Sequence, residues 1–180
     1  MVPAIQGPAH AATVEALDLP ALVQRAELIV IGQARERQSR WGHRGKLIVT
    51  DISIRVDEAL KGDLSPDSDV IVTRMGGQMD GLGLKVPGSA TFRLGESAVV
   101  FLSRHPATGE WRTVGMSQGM LPVDLQDGVR TVRPGGHGAA LMTAGQDGVL
   151  RPGSGALTAT VRLQDFAAEV RRVVLQQRAR

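Results

Sequence analysis

Between residues 48 and 56 the side chains alternate with a period of two. Ile48, Thr50, Ile52, Ile54 and Val56 share one side, and Val49, Asp51, Ser53 and Arg55 the other. Only an extended strand with one buried face repeats in that way, so the segment commits the chain to a sheet. It lies in a block, residues 46–102, where strand-like segments are cut by Leu60-Lys61-Gly62, Gly76-Gly77, Val86-Pro87-Gly88 and Gly95-Glu96. Such Gly- and Pro-containing breaks end strands and turn the chain back on itself.

The remaining elements fall around that block. Asp18 can cap a short helix over residues 19–26, with Pro20 in its first turn and Leu19, Leu22, Val23 and Ala26 on one face. Leu28-Ile29-Val30-Ile31 starts a buried strand that runs on toward Arg37, and Trp41-Gly42-His43-Arg44-Gly45 reads as the turn that ends it. Residues 70–74 return as a third strand. Gly76, Gly77, Gly81, Gly83, Pro87 and Gly88 then make an excursion too long for an ordinary hairpin connection, and loops of that kind carry function or move.

Thr91-Phe92-Arg93-Leu94 leads into the Gly95-Glu96 turn, and Ala98-Val99-Val100-Phe101-Leu102 is apolar throughout, as a strand covered on both faces would be. Residues 111–115, 120–125 and 129–132 are further strands, the last two joined by the Gln126-Asp127-Gly128 turn. Leu163, Phe166, Ala167, Val170, Val173 and Val174 recur at helical spacing and predict an amphipathic helix over 163–177. The division is a flexible tail or signal-peptide remnant (1–16), a β-domain (17–133), a Gly/Pro-rich surface loop (134–156) and a C-terminal segment (157–180) whose helix packs on the β-domain.

A chain of 180 residues is long enough for one core. The net charge is only +3, while the isoelectric point is near 10.1. The two agree because the chain has no Tyr or Cys and only Lys46, Lys61 and Lys85 as lysines, so little titrates between pH 8 and 10. A weak overall charge argues against nucleic acid as a partner. The absence of Cys excludes disulfides, thiolate zinc sites and thiol catalysis. No apolar run approaches the roughly 20 residues of a membrane-spanning helix. Pro8-Ala9-His10-Ala11-Ala12 has the small-x-small pattern of a signal-peptidase site, so the protein is expected to be exported (periplasmic, secreted or at the cell surface), with a cytoplasmic location left open.

Taken in order, Thr50-Asp51, Val56, Leu60-Lys61-Gly62, Gly76-Gly77, Val86-Pro87-Gly88, Phe92, Gly95-Glu96 and Phe101-Leu102 resemble a group of uncharacterised exported bacterial β-barrel proteins. The resemblance covers about residues 17–125 and extends to the OB-like barrel class of the tissue inhibitors of metalloproteinases and netrin-type modules. It implies a single OB-like antiparallel β-barrel, mainly β, with a short N-terminal and a C-terminal amphipathic helix, acting as a binding or inhibitory module. The zinc-chelating N-terminal Cys of the animal inhibitors has no counterpart in this Cys-free chain.

Several motifs compete for chemistry. Gly115-Met116-Ser117-Gln118-Gly119 matches the G-x-S-x-G nucleophile elbow, and Asp124 or Asp127 and then His137 follow in hydrolase order. The elbow needs a helix after the Ser, whereas Met120-Leu121-Pro122-Val123 reads as strand, so a bend between strands is the better account. Residues 76–83 have the glycine spacing of a phosphate loop but lack its Lys and Ser/Thr. His10, His43, His105 and His137 have no metal-ligand spacing, and Asp63, Asp67 and Asp69 crowd a turn without the pattern of a calcium loop. No cofactor or metal is expected.

The leading expectation is a non-catalytic module that grips an unidentified protein or glycan at the cell envelope. The gripping surface is the loop that includes Met75, Gly76, Gly77, Met79, Gly81, Leu82, Pro87 and Gly88, aided by Trp41 as an aromatic contact. A Ser hydrolase acting through Ser117 and a structural envelope component or peptidase-inhibitor-like module are the alternatives.

Overall fold

The computed structural model describes residues 12–42, 45–135 and 138–179. His10, His43 and His137, with most of the cleavage-like Pro8-Ala12 pattern, lie outside them. The chain is mainly β. In order it forms β1 (Ala12–Glu15), α1 (Leu19–Arg25), β2 (Leu28–Gly42), β3 (Leu47–Lys61), β4 (Asp69–Met75), β5 (Gly77–Met79), β6 (Leu82–Leu84), β7 (Ser97–Arg104) and β8 (Trp111–Thr113). After a 3-10 turn (Met116–Gly119) come β9 (Met120–Gln126), β10 (Val129–Val132), β11 (Ala139–Ala144), β12 (Leu150–Pro152), β13 (Val161–Arg162) and α2 (Leu163–Arg178).

Eight strands make one large sheet in the order β13-β10-β9-β7-β2-β3-β4-β8, and β8 also pairs with β7. The strands β7, β2, β3, β4 and β8 thereby curl into a partial ring, joined at β4 and β8 by the single parallel pairing of Val72 with Trp111. Register shifts at Ile29/Val30, Ile31/Gly32 and Ala34/Glu36 accompany the curl, since an extra residue bends a strand and deepens its twist. Gly32 serves the same bend, because a Cβ there would stand 2.5 Å from the Arg55 carbonyl oxygen.

Two cores follow from the two faces of this sheet. Inside the ring, Val30, Ile52, Ile54, Val56, Val72, Val100 and Leu102 pack with Phe92. Outside it, Ile29, Ile31, Val99 and Phe101 meet Leu22 and Val23 of α1 and Phe166, Val170 and Val173 of α2. β7 and the start of β2, residues 28–31, feed both cores, which is why their sequences are apolar without alternation. Each fully buried aliphatic side chain contributes roughly 1.5–3 kcal/mol against the entropy of ordering the chain. Asp18 caps α1 by accepting from the Ala21 N–H at 2.8 Å. At the other end Lys61 Nζ donates to the carbonyls of Val23 and Ala26, satisfying acceptors that a helix end leaves open.

The long elements stand within a residue or two of their expected places, and the departures are at the ends. Trp41 and Gly42 do not form a turn; they are the last residues of β2, paired with Ile48 and Leu47. Part of the expected tail is β1, which pairs in parallel with β11, Thr13 opposite Ala140. The expected loop over 134–156 contains β11 and β12, so β1, β11 and β12 make a small separate sheet. A pairing between positions so far apart in sequence leaves no local periodicity to read.

Candidate functional site

The excursion after β4 is an arch with a defined shape. Gly76 and Gly77 have φ of +93° and +146°, conformations closed to most side chains. They lift the chain off β4 into the β5–β6 hairpin, whose tip, Asp80-Gly81, has φ of +50° and +78° as a two-residue type I′ turn requires. Both feet are pinned. The Gly76 N–H donates to Ile48 O at 2.9 Å and Thr50 Oγ1 donates to Gly76 O at 2.6 Å. At the far foot, Ser89 Oγ donates to Met75 O at 3.1 Å, and the Ser117 N–H donates to Gly88 O at 2.9 Å. The tip is held by Trp41, whose Nε1–H donates to Asp80 Oδ2 at 2.9 Å.

Beneath the arch the pleat that sends Ile52 and Ile54 into the ring brings Thr50 to its mouth. Ser39, Thr50 and Arg74 stand side by side across β2, β3 and β4, with Arg37 one step along β2. Because Thr50 spends its hydroxyl proton on Gly76 O, the Ser39 hydroxyl is the donor of the 3.1 Å Ser39–Thr50 hydrogen bond. Between this row and the arch lies a cleft of about 1120 Å³. Arg37, Arg74 and, on the arch, Lys85 line it; among the described residues no carboxylate does. Arg74 is half-buried, and burial followed by the nearby Arg37 charge lowers its pKa below the usual guanidinium value. Among the described residues neither arginine has a salt-bridge or hydrogen-bond partner.

On the outer face of the same strands charge is handled in the opposite way. Arg40 donates through Nε to Asp51 Oδ2 at 2.6 Å and through Nη2 to Glu110 Oε1 at 2.7 Å. Thr73 Oγ1 donates to Asp51 at 2.6 Å, and Arg112 and Thr108 donate to Glu110 at 3.0 and 2.8 Å. Burial alone would raise the Glu110 carboxyl, but the hydrogen bonds from Arg40, Arg112 and Thr108 outweigh it and hold its pKa at about 2. Asp51 first, then Glu110, raise the Arg40 guanidinium. Nearby, the Arg104 guanidinium lies 4.1 Å from the centroid of the Trp111 ring.

The structure brings the predicted loop residues into the arch, but in different roles. Gly77, Pro87 and Gly88 line the cleft, Gly81 turns the hairpin tip, and Leu82 is 58% exposed on the hairpin's outer arm. Met75 ends β4 and Met79 ends β5. Trp41 braces the arch through its indole N–H. Sequence reasoning passed over Arg37, Arg74 and Lys85, since nothing local marks which arginines lack a partner. It also passed over Gln118, which is 2% exposed and ties down the segment before α1 by accepting from Leu17 N–H and donating to Glu15 O, both at 2.8 Å.

Ser117 lies in the 3-10 turn and is 6% exposed, with β9 rather than a helix after it. Asp124 accepts from Arg133 Nε at 2.8 Å, and Asp127 occupies the β9–β10 turn with φ of +50°. His105 Nδ1 is 3.2 Å from Thr108 Oγ1. Asp67 is drawn to Arg55 at 3.4 Å, and among the described residues no three His, Asp or Glu side chains converge as a metal site requires. No helix among them is long and apolar enough to cross a membrane.

Fold and site together define the class: a mainly β chain whose large sheet curls into a partial ring, with a carboxylate-free basic cleft under a pinned hairpin arch. No protein-family model matches the chain, and no curated protein matches its sequence.

Proposed function

We propose that the chain is a non-catalytic binding module built on an OB-like barrel. The strand order supports the fold reading: the ring runs β2, β3, β4, β8, β7, with β8 parallel to β4, as the first, second, third, fifth and fourth strands of a five-stranded Greek-key barrel do. The binding reading rests on one observation, the open cleft under an arch fixed at both feet and at its tip. A surface held in this way is preorganised, so little entropy is lost when a partner seats on it. The partner is a protein or glycan of the cell envelope, in keeping with the export-like pattern at residues 8–12.

The test removes the arch and keeps the ring. A variant with residues 78–85 replaced by a short Gly-Ser linker is compared with the intact chain for capture of components from an envelope extract, after circular dichroism shows that both are folded. Specific capture by the intact chain alone supports the proposal. Equal capture by both sinks it. Labelling of Ser117 by a fluorophosphonate would replace it with the hydrolase.

A further inference from the structure

Most described arginines of this protein sit within salt-bridge distance of a carboxylate: Arg25 with Glu15, Arg40 with Asp51 and Glu110, Arg133 with Asp124, Arg151 with Asp147. Arg37 and Arg74, like Arg35, Arg104, Arg162 and Arg178, break that habit, and these two do so in one cleft. The Arg37 charge lies near Arg74 at the mouth of the ring, Arg74 is half-buried, and Lys85 lines the same cleft from the arch. Like charges confined together raise the energy of the folded chain unless something negative joins them. The hydroxyls on the cleft floor are already committed to each other and to Gly76 O. The charged donors left for a ligand are the guanidinium and ammonium groups, beside the neutral Gln78 amide and Thr91 hydroxyl, and the arginine fork suits oxygens held in a plane or a tetrahedron.

We propose that Arg37 and Arg74, with Lys85 across the cleft, bind the oxyanion groups (phosphate, sulfate or carboxylate) of an anionic ligand. The inference deepens the binding-module reading and rests on it, by giving the cleft's partner its charge. The ligand supplies the counter-charge that no described residue lining the cleft supplies. The two guanidinia stand on β2 and β4 with β3 between them, so they favour a ligand with at least two anionic groups over a single small ion. The pinned arch carries the third charge, so it holds Lys85 over the cleft before a ligand arrives.

The experiment is calorimetric titration of the intact chain with pyrophosphate, sucrose octasulfate and citrate, with sucrose as the uncharged control. The same titrations are run on Arg37→Met, Arg74→Met, Lys85→Met and, away from the cleft, Arg133→Met. Methionine keeps the packing of the aliphatic stem while removing the charge. The expected result is binding of at least one polyanion that weakens as salt rises to about 150 mM. Each cleft arginine variant should lose about tenfold or more in affinity, as expected for a charged hydrogen-bonding group. Lys85→Met should lose less, and Arg133→Met should change affinity less than about twofold. Which polyanion binds tightest identifies the oxyanion. In the absence of anion, Arg37→Met and Arg74→Met should melt no lower than the parent, a sign opposite to that of a structural arginine.

Failure of all three polyanions to bind at millimolar concentration overturns the inference, as does equal affinity of the parent and both arginine variants. The two proposals fail separately. Arch-dependent capture of an envelope partner without polyanion binding leaves the module and removes the anion site. Polyanion binding with capture indifferent to the arch keeps the anion site and removes the macromolecular partner.

Discussion

The two faces of β2, β3 and β4 at one end of the ring carry arginines under opposite rules. On the outer face Arg40 is clamped between Asp51 and Glu110, Arg112 completes the set, and each of these four charges meets an opposite one within 3.0 Å. At the ring mouth Arg37 and Arg74 share a cleft with Lys85, and no carboxylate is among its described lining residues. Both faces draw on the same residue type, since arginine is common throughout the chain. What differs is whether the fold supplies the counter-charge. A cation paired internally stiffens the strand ends, and one left unpaired in a cleft is available to something else.

The strongest way to disturb the contrast is at the arch itself. Gly77→Ala would put a Cβ within 2.6 Å of Ser39 Oγ and closer still to Thr50 Oγ1, at a φ of +146° that alanine avoids. We expect a loss of about 2–3 kcal/mol in urea unfolding, or an arch lifted from its foot with reduced polyanion affinity. Unchanged stability and affinity together would show that the arch is not seated as described. Next, Arg40→Met leaves the Asp51 and Glu110 carboxylates part-buried and repelling each other. It should cost about 1–2 kcal/mol, discounted because the Arg40 side chain is 41% exposed. That loss, set beside the neutral or favourable outcome expected for Arg74→Met, measures the contrast directly.

A smaller effect separates the faces by pH. Glu110 has its pKa depressed in the folded chain, from 4.5 to about 2, so its contribution is fully present above pH 4.5 and is lost as pH falls toward 2. Urea midpoints at pH 5 and pH 2.5 should therefore draw closer together in Glu110→Gln than in the parent. The smallest effect belongs to the cleft. Arg74→Met should show the parent's pH dependence over the same interval, because no described carboxylate titrates against Arg74. A variant whose acid sensitivity changed as much as that of Glu110→Gln would reveal a counter-charge and erase the distinction.

Much of the ring is legible in the order of its residues. The alternation from Ile48 to Val56 marks the inner and outer face of β3, and the unbroken apolar run from Ala98 to Leu102 is a strand between two cores. The helical spacing from Leu163 to Val174 is the buried face of α2. These elements can be read because burial imposes a period on their own residues. The arch is legible as a site but not as a shape. Its glycines announce positive φ, yet the hairpin tip tied to Trp41 depends on a side chain 39 positions away. Trp41 itself is expected in a turn, because Gly42 and Gly45 look like turn residues from within the sequence, whereas cross-strand pairing with Ile48 extends β2 through it.

The order of residues thus established a mainly β chain with two amphipathic helices, a glycine-shaped excursion after the third long strand, and no thiol chemistry. The three-dimensional arrangement settled which cations are paired, how β1 joins β11, and that a basic cleft lies under the arch. The division has a physical cause. Periodicity, propensity and turn chemistry act over a few neighbouring residues and leave their mark in the string, while neutralisation and strand partnership act between residues that meet only when distant strands are laid side by side.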